Sequence, residues 1–295
     1  MRVLVTGASG WIGSATVAAL LTAGHQVTGL ARSDASAARI TALGATPVRG
    51  DIEDLDGLRT AAADADGVIH LGYHHDFSRM AEAAQTDRAA ITALGAGLAG
   101  TGRPLVVAAG VLGLAGHPVA TEADGPVPGV HPRGANGAVA LALAEQGVRP
   151  VVVRFAPTVH GPGDKGFVAA LVAAARRTGV AGYVADGANR WPAVHVRDAA
   201  ALLRLAIEDA PAGSVLHATA EEGVSGRQIA EAIGGGLGLP VESVPVERVD
   251  EHFGWIGRLF SLDSPASSEA TRRLLGWKPT HPTLLADIAA GHYFG

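Results

Sequence analysis

The segment Thr6-Gly7-Ala8-Ser9-Gly10-Trp11-Ile12-Gly13 follows a short β-branched run, Val3 to Val5, and precedes a stretch with Val17, Leu20 and Leu21 at helical spacing. Glycines at this spacing let the chain turn at Gly7, bring its backbone against an anion at Gly10, and pack helix on strand at Gly13. The first N–H groups of the following helix have no partner within it and are left to bind phosphate. The chemistry is that of a dinucleotide held by its pyrophosphate, with Ser9, Trp11 and Ile12 beside it. Arg32 stands 19 positions beyond Gly13, where a carboxylate would take the ribose hydroxyl of NAD(H). A guanidinium there accepts the extra phosphate of NADP(H), with Ser33 as a second donor, so NADP(H) is the expected cofactor and NAD(H) the lesser alternative. Asp34, the nearest acid, reads as the cap of a helix from Ala35 to Leu43. Asp51 and Ile52 are expected at the adenine edge, Leu71 and Gly72 at the next strand end.

A second group could move protons. Tyr73-His74-His75-Asp76 follows the strand ending at Leu71 and so opens on the same crevice, offering Tyr73, His74 and His75 as general acids with a carboxylate to orient them. Arg133 could bind a carboxylate or polarise a carbonyl without giving up a proton. His160, in a Gly-Pro-Gly turn, is placed toward the nicotinamide side; Asn136 and His131 are weaker candidates of the same kind. His70, His74 and His75 also suggest a metal, but alternation along an extended chain sends neighbours to opposite sides, and no metal site is expected.

The elements that must position these residues alternate in the first half of the chain. Strands are expected at Val3–Val5, Gln26–Leu30, Thr46–Val48, Gly67–Leu71, Leu105–Ala108 and Val151–Phe155, with Ala-rich helices between them. That rhythm is the pattern of an α/β fold, a Rossmann doubly wound parallel sheet. Beyond about residue 158 it gives way to Gly/Pro-rich connections with helices near Phe167–Arg177, Ala199–Ile207, Arg227–Leu237 and Pro282–Ala290. The expected division is a nucleotide domain of residues 1–158 with 187–225, and a smaller substrate lobe of 159–186 with 226–295. The aromatic stretch His252-Phe253-Gly254-Trp255 reads as a packed helix of that lobe.

The chain of 295 residues is 48% apolar, enough to bury a full core. A net charge of −5 and the lack of any basic block argue against nucleic acid, and the absence of cysteine removes disulfides and thiolate chemistry. The longest apolar run, Leu105 to Gly116, is too short for a membrane span. Met1 to Gly7 reads as strand and turn rather than a leader, which points to the cytoplasm. A homodimer is a weaker expectation, carried by the Ala-rich stretch Ala135–Glu145.

Taken with Arg49-Gly50-Asp51-Ile52, Val68-Ile69-His70-Leu71-Gly72, Arg154-Phe155-Ala156-Pro157-Thr158-Val159-His160-Gly161-Pro162-Gly163 and Ala193-Val194-His195-Val196-Arg197-Asp198-Ala199, the loop resembles the extended short-chain dehydrogenase/reductases, which include epimerases and dehydratases. The resemblance covers nearly the whole chain and implies their fold and nicotinamide cofactor. It further implies that Lys165, Tyr183, Asn189, Arg190 and Trp191 lie in segments near the substrate, although core packing is the simpler reading of Trp191 and Phe167. It also implies a serine at the end of the fifth strand and a Tyr-x-x-x-Lys pair on the next helix, and this chain departs from that pattern. Ala109, Arg133 and Gly137 stand at those places, and none of the three tyrosines, Tyr73, Tyr183 and Tyr293, has a lysine four residues on. Three uses of the pocket stay open: an NADP(H)-dependent reductase of a small carbonyl, imine or enone with an atypical proton donor, which is the leading expectation; an NADP(H) sensor without turnover; and a redox-neutral isomerase or cyclase.

Overall fold

A computed structural model describes residues 1–74, 79–115, 118–128 and 132–295. The β-branched runs form strands β1 (Arg2–Thr6), β2 (Gln26–Ala31), β3 (Thr46–Arg49), β4 (Gly67–His70), β5 (Pro104–Gly110) and β6 (Arg149–Phe155), followed by β7 (Thr158–His160), β8 (Ala181–Val184), β9 (Arg190–His195), β10 (Ser214–Ala218), β11 (Glu221–Ser225) and β12 (Val241–Val244). Helices are α1 (Trp11–Thr22), α2 (Asp34–Ala42), α3 (Leu55–Ala63), α4 (Met80–Leu98), α5 (Asn136–Ala142), α6 (Phe167–Thr178), α7 (Val196–Asp209), α8 (Gly226–Leu237), α9 (Val249–Phe253), α10 (Gly257–Phe260), α11 (Glu269–Leu275) and α12 (Leu284–Ala289).

The central sheet is parallel with strand order β10-β6-β5-β4-β1-β2-β3. The six expected strands are present, and a seventh, β10, extends the sheet beyond β6. Its five residues, flanked by Pro211 and Gly213 on one side and a second short strand on the other, have no alternation to announce them. Strand order reverses between β1 and β4, which leaves a crevice beyond their carboxyl ends. The register there sets Thr6 opposite His70.

Two apolar layers cover the sheet, one with α1 and α7 (Val17, Leu20, Leu202, Leu203) and one with α3, α4 and α5 (Leu58, Ile91, Leu94, Ala140). A separate core under the remaining elements gathers Leu171, Trp191, Ile229, Phe253, Phe260 and Ile288. No helix among the described residues is long and apolar enough to cross a membrane.

The chain end is strapped back onto the nucleotide-side sheet by buried acids. Asp198, on the first turn of α7, accepts the backbone N–H groups of Thr280 and His281 at 3.0 Å and meets His281 Nδ1 at 2.8 Å. His281 stacks on His195, whose Nδ1 caps α7 by accepting the N–H of Arg197. That acceptor role requires an unprotonated nitrogen. Burial, followed by the neighbouring His160 and His281, accordingly pulls His195 down from 6.5 to about 4. Between those values the unfolded chain binds a proton that the folded chain refuses, so the stability His195 contributes is complete above pH 6.5 and lost as the pH falls toward 4. The melting temperature should therefore fall from pH 7.5 to pH 5, and His195→Gln, which keeps an acceptor but cannot titrate, should make the fall shallower. His217, also lowered by burial, leaves a residual slope. An identical slope in the variant would remove His195 from the account.

Candidate functional site

At the end of β1 the chain turns through Gly7 at φ +68°, a conformation that disfavours a side chain. A Cβ on Gly13 would lie 2.0 Å from the Gly7 carbonyl oxygen, so the third glycine is needed by the loop itself more than by helix-on-strand packing. Gly10 is the N-cap of α1 and supplies no side-chain cap, leaving the first-turn N–H groups directed at the crevice. Trp11 donates its indole N–H to the Val159 carbonyl at 2.7 Å, joining this turn to β7.

The crevice is a cleft of about 1030 Å³. Its nucleotide end is bordered by Gly7, Ser9, Gly10, Trp11, Ile12, Gly13, Arg32, Asp51, Ile52, Leu71 and Gly72, which the fold thus brings together. Arg32 is exposed at the end of β2, and among the described residues its guanidinium has no partner. Ser33, expected as a second phosphate donor, is the N-cap of α2: its hydroxyl accepts the Ser36 N–H at 3.2 Å in a capping box with Ser36. Asp34, expected as that cap, is the first helical residue and pairs with Arg49 at 3.2 Å on the surface. The displacement is by one residue, and Ser36 three positions on was the signal for it.

His160 is not brought to the cleft. Its ring is 1% exposed, its Nδ1 lies 2.8 Å from Asp287 on α12, and it packs edge-on against His195. Alternation along a three-residue strand turns its side chain toward the chain end while Val159 borders the cleft.

The middle of the cleft holds Tyr73, His74 and Arg133, with Ala109 and Gly137 also on its wall. His75, Asp76 and His131 lie outside the described residues. His74 is partly exposed, with Nε2 3.4 Å from Glu53. The Arg133 guanidinium lies over the Tyr73 ring, 4.0 Å from its centroid, and donates through Nε and Nη2 to Asp87 at 3.2 and 3.0 Å. Burial raises the Tyr73 phenol, against the opposing pull of Arg133, so it stays protonated at neutral pH.

Behind Arg133 is a polar cluster that sequence reasoning did not single out as a site. Asp87, on α4, is 1% exposed. It accepts Asn136 Nδ2 at 2.7 Å and faces His70 Nε2 at 3.4 Å. Burial would raise Asp87, but His70, Arg133 and Asn136 together hold it below the ordinary carboxylate value. His70 Nδ1 in turn lies 2.8 Å from Thr6 Oγ1. A signal for Asp87 existed: Ala83, Ala84, Ala90, Ile91 and Leu94 mark a buried stripe of α4, and Asp87 falls on it.

The far end of the cleft is apolar. Leu112, Leu114, Val127, Phe167, Trp255, Leu259 and Leu262 line it, and Arg154, Asp164 and Lys165 are the other charged residues of the wall. Trp255 is 53% exposed there and meets Phe167 edge-on, while Phe167 also touches the buried Trp191. Tyr183, Asn189 and Arg190 do not border the cleft: Tyr183 lies under Arg227, Asn189 donates to the Phe260 carbonyl, and Arg190 pairs with Asp263.

Known proteins give a consistent setting for this geometry. The model of the NAD dependent epimerase/dehydratase family matches residues 3–123. An uncharacterized protein of Schizosaccharomyces pombe is 47% identical, covering 100% of both chains. The 2-alkyl-3-oxoalkanoate reductase of Stenotrophomonas maltophilia is 32% identical over 224 residues, 70% of this chain and 66% of that protein. A double mutant of dTDP-glucose 4,6-dehydratase from Streptomyces venezuelae, solved with NAD and DAU bound, shares the fold with a TM-score of 0.80 at 22% identity, covering 100% of this chain and 97% of its own.

The loop geometry sets a ranking for substitutions. Gly13→Ala should lower the unfolding free energy by about 1–3 kcal/mol through overpacking. Gly10→Ala, whose added carbon would meet the Gly7 oxygen at 3.1 Å, should cost less. Denaturant titration of both variants checks the order; equal or inverted losses would contradict the contact.

Proposed function

The chain belongs to the NAD dependent epimerase/dehydratase family of the extended short-chain dehydrogenase/reductases, and we propose that within it the protein is an NADP(H)-dependent reductase of a carbonyl, imine or enone carried on an apolar substrate. The observation that carries this reading is one cleft joining the glycine loop and Arg32 at one end, Arg133 at its middle and an apolar wall at the other.

The residues present fit the cofactor: Gly7, Gly10 and Gly13 keep the turn free of side chains at the three points where its backbone packs closest, and the uncapped start of α1 offers N–H groups to a pyrophosphate. Arg32 supports NADP(H) over NAD(H), because a guanidinium suits a phosphate and would waste a hydroxyl. When bound, NADPH supplies a hydride. Arg133 stays cationic and so does not act as the acid; its role is to polarise the substrate oxygen and hold the charge that develops there. The proton then comes from His74, whose Nε2 lies 3.4 Å from Glu53, or from water. Ala109 and Gly137, at the places where the family pattern has a serine and a lysine, supply neither function. Aliphatic and aromatic side chains at the substrate end favour an alkyl or aryl group over the polar body of a sugar nucleotide.

Incubation with NADPH and a panel of aldehydes, ketones, imines and enones, followed by the absorbance of the reduced nicotinamide, tests this directly. Turnover of alkyl or aryl ketones but not of UDP-glucose is expected, with kcat/KM reduced about 100- to 1000-fold in Arg133→Ala. Tight cofactor binding without turnover would replace the reading with a sensor, and product without net cofactor consumption with a redox-neutral enzyme.

Arg32→Asp should exchange the cofactor preference, weakening NADPH and strengthening NADH in calorimetric titrations. Unchanged affinities for both would overturn the assignment of Arg32.

A further inference from the structure

We infer that Asp87 is a positioning residue that fixes the guanidinium of Arg133 in the cleft. This rests on the reductase reading, in which Arg133 meets the substrate oxygen.

The geometry supports it from both sides of the carboxylate. On one side, Asp87 takes the Nε and Nη2 edge of Arg133 in a two-point contact, and Asn136 adds a third donor while its amide also reaches the Ala84 carbonyl at 2.9 Å. A planar guanidinium held at two points loses the freedom that an arginine side chain otherwise has. Tyr73 covers its face, so both the plane and the edge of Arg133 are set.

On the other side, hydrogen-bond arithmetic orients His70. Thr6 Oγ1 accepts the N–H groups of Leu71 and Gly72 at 3.1 and 2.9 Å, which uses both of its lone pairs. Its own proton must therefore go to His70 Nδ1 at 2.8 Å. A neutral His70 then carries its hydrogen on Nε2, the atom that faces Asp87 at 3.4 Å without a formed hydrogen bond. Thr6 is the last residue of β1 and the first of the glycine loop. Thr6, His70, Asp87 and Arg133 thus stand in one polar row beneath the cleft, hydrogen-bonded at each step except between His70 and Asp87. The four members are on four different elements, β1, β4, α4 and the turn before α5.

An ion pair of purely structural value would show the same contacts, so the test must separate positioning from stability. Asp87→Asn removes the charge in nearly the same shape. Its kcat should fall about 10- to 100-fold, with the dissociation constant for NADPH changed less than about threefold. In a double-mutant cycle, Asp87→Asn should cost kcat nothing further once Arg133→Ala is present. Equal losses in both backgrounds would overturn the inference and leave the reductase reading intact.

A second readout does not depend on turnover. In the nitrogen-15 spectrum of the cofactor-free protein, the Arg133 Nε–H should be a sharp, slowly exchanging resonance that broadens or vanishes in Asp87→Asn. Asn136→Ala, which removes one donor but leaves the pair, should weaken it partially and serves if Asp87→Asn fails to fold. A resonance unaffected by either substitution would show that Asp87 does not hold Arg133. A wild-type protein without turnover would defeat the reductase reading while this spectrum still decides the positioning.

Discussion

Thr6 occupies the point where the sheet reverses its strand order, and its hydroxyl satisfies three groups at once: the N–H of Leu71, the N–H of Gly72 and the ring nitrogen of His70. Those bonds bind the end of β1 to the end of β4, where the two chains part and the crevice opens. Thr6 also opens the glycine loop, whose shape depends on this anchorage. A Cβ on Gly7 would lie 2.9 Å from the backbone of Leu71 and Gly72, so the loop and the β4 end are packed with nothing between them. Both walls of the nucleotide end are thereby set by one hydroxyl and one bare α-carbon.

From that junction the polar chain continues inward, which makes the interior of this α/β fold less uniform than its apolar layers suggest. Burying a carboxylate, an imidazole and an amide together is costly unless each finds partners, and here Asp87 collects three donors and the facing edge of His70. Such clusters are weak evidence of stability, since an apolar replacement of equal volume can be as stable. Their value is geometric: a guanidinium held in one orientation at the middle of a cleft whose other end is apolar.

Much of the nucleotide half was legible from residue types alone, because its signals are local. Gly7, Gly10 and Gly13 between a strand and a helix, and β-branched runs at regular intervals, each reflect a constraint acting within a few residues. The strand β10 and the Ser33 cap escaped because five residues show no period and because two adjacent residues can both cap. The middle of the site was legible only in part. Arg133 was visible as a cation at a place where a proton donor would be expected, but Asp87 lies 46 residues away and looks like an ordinary polar residue until its helix is packed. His160 misled for the opposite reason: its neighbours in sequence border the cleft, yet its partner is Asp287, 127 residues on, which no local pattern announces. The C-terminal strap, with Asp198 holding Thr280 and His281, is likewise a long-range arrangement with no signature in either segment.

The claim on which the functional reading depends is transfer of a hydride across this cleft. A single-turnover reaction with NADPH carrying deuterium at the transferable C4 position, and an alkyl or aryl ketone that the protein accepts, measures it most directly. Mass spectrometry should find one deuterium in the product alcohol for each cofactor oxidised. Cofactor that binds in stoichiometric amount and is recovered with its label intact, under conditions where the substrate is also bound, would contradict the assignment of the protein as a reductase.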